Sequence, residues 1–349
     1  MSQKTVAIFF GGHSSEYGVS LESACSVIQN LDRERYCPLL VGISREGDWY
    51  YFTGDVEKIR SDTWLNEADC VPAALSPNRS EHALLIRKGS WVDKRRIDLA
   101  FPVLHGKNGE DGTLQGAIEL AGIPLVGCGV LASALCMDKD RAHKLAAHAG
   151  VRVPEAMVLK GATEERTVTA FADRVGYPLF VKPVKAGSSY GVSKVQCREE
   201  LMRAVELAFL YDDQVILEEN IDGFEVGCAV LGNGELTVGE VDEIELSGGF
   251  FDFTEKYTLK TSAIHVPARI SREKAEEIKE TAKVIYRALG CAGFARVDLF
   301  LTPAGEIVFN EVNTIPGFTE HSRYPGMMRA AGISFPEVLS RILELAVKQ

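Results

Sequence analysis

The chain has 349 residues, a formal net charge of −11, and 46% hydrophobic and 25% charged residues. This length predicts two or three domains, and the composition is that of a soluble globular protein. The acidic balance argues against nucleic acid or an anionic membrane as a partner, and no apolar run reaches the roughly 18 residues of a membrane helix. The N-terminus lacks a signal-peptide pattern and the eight cysteines are scattered, so we expect a cytoplasmic protein with free thiols.

Residues 1–128 alternate between strand and helix patterns. TVAIFF predicts a strand, LESACSVIQNL a helix and CPLLVGI the next strand, and after a more irregular stretch DLAFPVL predicts another strand. This succession is typical of an α/β domain with a mostly parallel, doubly wound sheet, whose sites lie beyond the carboxyl ends of the strands. The loops GGHSSE and HGKNGEDG follow two of these strands, so we expect both at a site.

Two further α+β domains are predicted, over 129–215 and 216–349. The first combines helices with a pair of strands in YPLFVKPVKAGSSYGVSKV. The second begins with an antiparallel set and ends with the strands FARVDLFL and EIVFNEV and two short helices. Within it, SGGFFDFTEKYTLKTSA has the composition of a long mobile loop.

Two strand-like segments near the C-terminus carry polar side chains two residues apart. Arg296 and Asp298 lie in the first segment, and Glu311 and Asn313 in the second. Residues two apart share one face of a strand, so pairing of the strands would bring three oxygen-bearing side chains together beside an arginine. Such oxygens suit Mg²⁺, with Mn²⁺ as an alternative, and two ions bridged by Glu311 would clamp a triphosphate. The competing interpretation is a polar outer face on an antiparallel sheet.

Two other segments have features of a nucleotide site. VKPVKAGSSYGV places Lys182 at a strand end before a Gly/Ser loop, which offers a cation and backbone N–H groups to phosphate. The spacing is not that of a P-loop, and an ordinary loop is the alternative. ILEENIDGFEVG predicts a strand edge followed by a hinge, and the backbone of such a segment can bond to an adenine. The candidate ATP-binding residues in it are Glu218, Glu219, Ile221 and, for the ribose, Glu225.

Together these segments resemble the ATP-grasp superfamily and, within it, the D-alanine–D-alanine ligase family. The resemblance runs from end to end through FGGHSSEYGVSL, FPVLHGKNGEDGTLQG, MDKDRAHK, VKPVKAGSSYGVSKV, EENIDGFEVG, EKYTL, ARVDLF and NEVNTIPGFTEHSRYP. It implies an N-terminal doubly wound domain followed by an ATP-grasp pair of domains. Because the family is often dimeric, it also implies a homodimer. It also implies that ATP phosphorylates D-alanine, and that the amine of a second substrate attacks the acyl phosphate under a lid that excludes water.

The resemblance also implies roles for individual residues. Binding of the first D-alanine is implied for Glu16 and His105, with Ser188 and Tyr257 fixing the lid. Contacts to the nucleotide are implied for Lys139, Lys182, Lys256 and Glu225. Magnesium binding is implied for Asp298, Glu311 and Asn313. Stabilisation of developing charge is implied for Arg296 and the backbone of Gly317, contacts to the second substrate for Ser322 and Arg323, and substrate binding for Phe251.

The second substrate is predicted from two local features. EKYTL keeps a Lys-Tyr pair that the D-lactate enzymes resemble less well, and HSRYP places Arg323 where housekeeping ligases typically carry an apolar residue. A polar second subsite favours D-serine over D-alanine, with D-lactate third, and suggests a vancomycin-resistance ligase. Other ATP-grasp carboxylate–amine ligases would not keep Glu16 together with HGKNGEDG. A non-catalytic nucleotide-binding module would not need Arg296, Ser188 and Tyr257 together.

Overall fold

The computed structural model describes residues 3–161, 164–187, 189–246 and 262–347. Within these ranges the chain forms 17 strands in three sheets, together with ten helices. The helices are α1 (Tyr17–Asn30), α2 (Val56–Arg60), α3 (Thr113–Leu120), α4 (Val130–Met137), α5 (Lys139–His148), α6 (Glu165–Val175), α7 (Arg198–Phe209), α8 (Arg272–Ala288), α9 (Arg323–Ala330) and α10 (Phe335–Val347). None of these helices has the length and apolar character needed to cross a membrane. This mixed architecture confirms the predicted fold class.

The N-terminal sheet has seven strands. They are β1 (Lys4–Gly11), β2 (Tyr36–Ile43), β3 (Trp49–Phe52), β4 (Cys70–Leu75), β5 (Ala83–Lys88), β6 (Trp91–Arg96) and β7 (Leu99–Pro102), in the spatial order β6-β5-β4-β3-β2-β1-β7. The strands β2, β1 and β7 run parallel, as the doubly wound pattern predicts. The strands β3 to β6 extend the sheet by antiparallel pairing, in the stretch whose pattern was irregular. Antiparallel neighbours need only short turns, so this extension lacks the helical crossovers that mark a parallel sheet.

The parallel part of this sheet is covered on both faces. Val6, Ile8 and Phe10 of β1 pack on one face with residues of α1 and α10. Ala7 and Phe9 pack on the other face with residues of α3. This two-sided burial explains why β1 is a continuous apolar run, and it fixes the loops after β1 and β7 at one edge of the sheet.

A four-stranded antiparallel sheet follows. Its strands are β8 (Ala156–Lys160), β9 (Leu179–Pro183), β10 (Ser193–Val195) and β11 (Gln214–Glu219), in the order β10-β9-β11-β8. The apolar faces of α6 and α7 pack on it through side chains such as Phe171 and Leu201. The predicted domain boundary between residues 215 and 216 falls inside β11.

The third sheet has six strands. They are β12 (Phe224–Leu231), β13 (Thr237–Val238), β14 (Asp242–Leu246), β15 (Ser262–His265), β16 (Phe294–Leu301) and β17 (Ile307–Asn313), with the path β15-β14-β12-β16-β17 and β13 paired to β12. Helix α8 buries Ile278, Ala282 and Ile285 against this sheet. The strands β16 and β17 pair antiparallel, which confirms the pairing on which the predicted oxygen cluster depends.

Candidate active site

Two adjoining cavities are lined by the predicted site residues of the described ranges, apart from Asp298, which lines neither. The first, of about 520 Å³, lies between the four-stranded and six-stranded sheets and is named the inter-sheet cavity. The second, of about 590 Å³, lies between the N-terminal loops and the six-stranded sheet and is named the N-terminal cavity. Lys139, Ala186 and Glu311 line both cavities, so the two meet at these residues.

The inter-sheet cavity brings together residues predicted to bind a nucleotide. These are Lys139, Lys182, Glu218, Glu219, Ile221 and Glu225. Lys182 Nζ lies 2.6 Å from Glu218 Oε2, and Lys139 Nζ donates to the Ala186 carbonyl at 2.9 Å. Burial by itself would raise the pKa of Glu218, but the cations around it, Lys182 foremost, lower that pKa below its ordinary value. Glu218 is therefore a buried carboxylate anion that holds Lys182 at the cavity wall.

The paired strands β16 and β17 form the predicted oxygen cluster. Asp298 lies opposite Glu311, and Arg296 opposite Asn313. The guanidinium of Arg296 contacts Asp298 through Nε and Nη2, each at 2.8 Å, and the Asn313 amide donates to Asp298 at 2.9 Å. In the described part of the chain no three His, Cys, Asp or Glu side chains are placed to hold a metal ion. The donor set of two carboxylates and an amide still suits a hard cation. A metal ion bound by Asp298 would replace Arg296 as the cation that this carboxylate contacts.

Glu16 and Glu110 form an acidic pair at the N-terminal cavity. A Cβ at Gly106 or Gly187 would lie 2.4 or 2.5 Å from Glu16 Oε2, so both glycines allow the backbone to approach this carboxylate closely. Glu110 accepts hydrogen bonds from Gly106 N–H at 2.8 Å and from Ile315 N–H at 3.1 Å. Burial, with the charge of Glu16, raises the pKa of Glu110 to about 8. Glu110 was not singled out from the sequence, although it lies in the loop HGKNGEDG.

His105 connects the N-terminal part to the loop that contains Gly317. Its Nδ1 lies 2.8 Å from the Ile315 carbonyl oxygen, and its Nε2 lies 3.3 Å from Ser23 Oγ, which accepts from Phe318 N–H at 3.2 Å. Burial lowers the pKa of His105 to about 4, so the ring is neutral near pH 7. Nδ1–H then donates to the carbonyl and Nε2 accepts from the Ser23 hydroxyl, which fixes both sides of Gly317.

Arg323 lies between the two cavities. It lines the N-terminal cavity, as predicted for a second-substrate contact. Its Nε and Nη2 contact Asp242 at 2.7 and 2.8 Å, its Nη1 contacts Glu225 at 2.8 Å, and Asp298 lies 3.4 Å from Nη2. This cluster was not predicted, because Arg323 is 81 residues from Asp242 and 98 from Glu225 along the chain.

The other predicted residues divide into two groups. Gly317 and Ser322 line the N-terminal cavity, where Ser322 Oγ lies 2.8 Å from Thr319 Oγ1. Four further predictions lie outside the described residues: Ser188, Phe251, Lys256 and Tyr257.

Comparison with known proteins covers nearly the whole chain. Residues 5–128 match the model of the D-ala D-ala ligase N-terminus, and residues 145–344 match that of the D-ala D-ala ligase C-terminus. The chain is 48% identical to the vancomycin B-type resistance protein VanB of Enterococcus faecalis, with 100% of both chains covered. It is also 48% identical to a putative D-alanine–D-lactate ligase of Streptomyces coelicolor, with 99% of each covered. A crystal structure of the VanG D-Ala:D-Ser ligase from Enterococcus faecalis is 55% identical, with a TM-score of 0.92 over 99% of this chain and 100% of that chain.

Proposed function

Because this chain belongs to the D-alanine–D-alanine ligase family, we propose that it joins D-alanine to D-serine for peptidoglycan precursors and vancomycin resistance. It is an ATP-dependent carboxylate–amine ligase, which forms a peptide bond, ADP and phosphate. The observation that carries the choice of D-serine is the 55% identity, over 99% of the chain, to a solved D-Ala:D-Ser ligase. A housekeeping ligase that adds a second D-alanine is the alternative.

In the first half-reaction a carboxylate oxygen of D-alanine attacks the γ-phosphorus of ATP, and ADP leaves. Lys139 and Lys182 are suited to hold the phosphates, because both line the inter-sheet cavity and Lys139 also lines the N-terminal cavity. Magnesium, bound by Asp298, Glu311 and Asn313, would neutralise phosphate charge. This step gives the carboxyl carbon a phosphate leaving group in place of an oxide.

In the second half-reaction the amine of the second substrate attacks the acyl carbon, and phosphate leaves from the tetrahedral intermediate. Arg296 and the N–H of Gly317 line the cavity where this oxyanion would develop, and fixed donors of this kind lower the barrier. The Glu16 carboxylate, held between two glycine backbones, would bind the ammonium of D-alanine. His105 would keep the Gly317 loop in place through its two hydrogen bonds.

Arg323 supports a polar second substrate. It lines the N-terminal cavity, as its sequence neighbour Ser322 does, and a guanidinium offers only N–H donors. A donor-lined subsite suits the hydroxymethyl group of D-serine better than the methyl group of D-alanine. A site that bonds a hydroxyl also rejects the analogue without it more strongly than an apolar site rejects the hydroxyl.

Product analysis tests this proposal. Purified protein is incubated near neutral pH with ATP, Mg²⁺, D-alanine and an equal concentration of D-serine, and the dipeptides are separated. We expect mainly D-Ala–D-Ser. Mainly D-Ala–D-Ala would reject D-serine as the preferred substrate and favour the housekeeping reaction. A parallel reaction with D-lactate in place of D-serine should give little ester product.

A further inference from the structure

His143 is a buried histidine that no step of the proposed reaction uses. It lies in α5, its side chain is 6% exposed, and it lines neither cavity. Its Nε2 lies 2.8 Å from the Asn310 carbonyl oxygen. Because a carbonyl oxygen only accepts, Nε2 carries the hydrogen and donates it. The ring also packs edge-on against Phe309, with the ring centroids 5.4 Å apart, so two contacts of His143 hold α5 on β17.

The other side of the imidazole ring faces Glu218. His143 Nδ1 lies 3.7 Å from Glu218 Oε1, and neither atom has a hydrogen-bond partner among the residues that the structure describes. This distance is too long for a hydrogen bond, but charges and dipoles act more strongly between buried groups than in water. Lys182 contacts the other carboxylate oxygen, Oε2, at 2.6 Å. The Glu218 carboxylate therefore lies between an imidazole ring and an ammonium group, and a shift of the ring would let the carboxylate and Lys182 move together.

His143 contacts both walls of the inter-sheet cavity from behind. Glu218 belongs to β11 of the four-stranded sheet and Asn310 to β17 of the six-stranded sheet, and both residues line this cavity. A ligand that binds between two sheets gains most when the groups on both walls are already in place. The histidine joins the two walls at a point where the side chain itself is out of reach of the ligand.

Lys139 lies one turn before His143 on α5. Residues four apart occupy the same face of a helix, and Lys139 Nζ lies 3.7 Å from Glu311 Oε2 of β17. The face of α5 that His143 fixes on β17 is therefore the face that carries Lys139. His143 thus acts on both lysines expected to hold phosphate, on Lys139 through α5 and on Lys182 through Glu218.

We propose that His143 is a positioning residue for the nucleotide, which ties the two walls of the inter-sheet cavity together and sets Lys139 and Lys182 for a nucleoside triphosphate. The inference rests on the proposed function, in which this cavity takes ATP. Cations that are already ordered cost less free energy to immobilise when the triphosphate binds. The two amino-acid substrates bind in the N-terminal cavity, which His143 does not line. Its effect should therefore be confined to the nucleotide.

The test compares three substitutions that separate the contacts of His143. Phenylalanine keeps a ring against Phe309 but has neither nitrogen, asparagine is too short to reach the Asn310 carbonyl, and glutamine can place an amide N–H near the position of Nε2. His143→Phe and His143→Asn should raise KM for ATP about tenfold, whereas His143→Gln should stay within about threefold of the wild type. KM for D-alanine and for the second substrate, and the share of D-Ala–D-Ser in the products, should change less than about twofold in all three variants.

A binding measurement adds a readout that does not depend on turnover. In calorimetric titrations with ADP and Mg²⁺, Kd should rise about tenfold in His143→Phe and stay within about threefold of the wild type in His143→Gln. His148→Phe is the matched control and should bind ADP as the wild type does, because His148 is exposed at the end of the same helix and lines neither cavity. If His143→Phe does not fold, His143→Asn carries the test.

Two results would overturn the inference. One is a His143→Phe or His143→Asn variant that loses thermal stability but keeps the wild-type KM for ATP and Kd for ADP, which would make His143 purely structural. The other is an equal rise in KM for ATP, D-alanine and the second substrate. A wild-type enzyme that makes mainly D-Ala–D-Ala would instead reject D-serine in the proposed function, and a rise in KM confined to ATP would still support the positioning role of His143.

Discussion

Replacing Ser23 by Ala should loosen the loop that carries Gly317 while leaving the three sheets intact. Ser23 is 0% exposed, and its hydroxyl joins His105 Nε2 at 3.3 Å to Phe318 N–H at 3.2 Å. Alanine would leave a buried ring nitrogen and a buried N–H without this partner, and each such loss costs about 1–3 kcal/mol. Both contacts are longer than the usual hydrogen bond, so we take the lower end for each. The free energy of unfolding should fall by about 2 kcal/mol.

Urea unfolding and steady-state kinetics measure the two consequences of Ser23→Ala. Loss of a whole oxyanion donor costs about 100- to 1,000-fold in kcat. Here the Gly317 N–H stays present but less well fixed, so we expect kcat to fall about tenfold with little change in KM for ATP. Ser26→Ala is the control, because Ser26 lies on the same helix and, in the described structure, its hydroxyl bonds only to the Glu22 carbonyl of that helix. Wild-type kcat and stability in Ser23→Ala would refute the view that this hydrogen-bond chain positions the loop.

Two further predictions concern the metal site and the pH dependence of stability. Glu311→Gln should abolish turnover without unfolding the protein, because an amide does not supply the charge that a divalent cation needs. Circular dichroism checks that the variant is folded. Near-normal turnover in a folded variant would contradict the assignment of Glu311 as a metal ligand. In the folded protein, burial lowers the pKa of His105 from 6.5 to about 4. The neutral ring therefore contributes fully to the free energy of unfolding above pH 6.5. This contribution, up to about 3 kcal/mol, is lost as the pH falls toward 4. His105→Gln should flatten the unfolding free energy over this window, and an unchanged profile in urea titrations at pH 4–7 would contradict this.

The oxygen cluster shows what a local pattern can predict. The spacing of Arg296 and Asp298, and of Glu311 and Asn313, places each pair on one strand face, and this follows from strand geometry alone. The structure adds that β16 and β17 are neighbours, with Asp298 opposite Glu311. The two-residue period holds between Arg296 and Asp298 and between Glu311 and Asn313, and the register shifts only beyond Asp298, so this part of the site could be predicted without knowledge of the fold.

The hydrogen-bond chain through Ser23 shows what a local pattern cannot predict. Ser23 reads in the sequence as one polar residue on an amphipathic helix, yet it contacts residues 82 and 295 positions away. The Asp242–Arg323 pair has the same character. Such partners are determined by the packing of elements that are distant in the sequence, and neither residue type nor spacing predicts them.

The charges of the site explain how an acidic protein can bind an anionic nucleotide. The chain has a net charge of −11, so its overall field opposes ATP. Three of the cations that line the two cavities are paired with carboxylates: Lys182 with Glu218 at 2.6 Å, Arg296 with Asp298 at 2.8 Å, and Lys139 with Glu311 at 3.7 Å. Phosphate must therefore compete with the protein's own carboxylates for these cations. The competition is eased if a divalent cation accompanies the nucleotide and occupies Asp298 and Glu311, since Arg296 and Lys139 are then free to turn to phosphate oxygens. On this reasoning Glu311 and Asp298 keep Lys139 and Arg296 paired until nucleotide and metal arrive together.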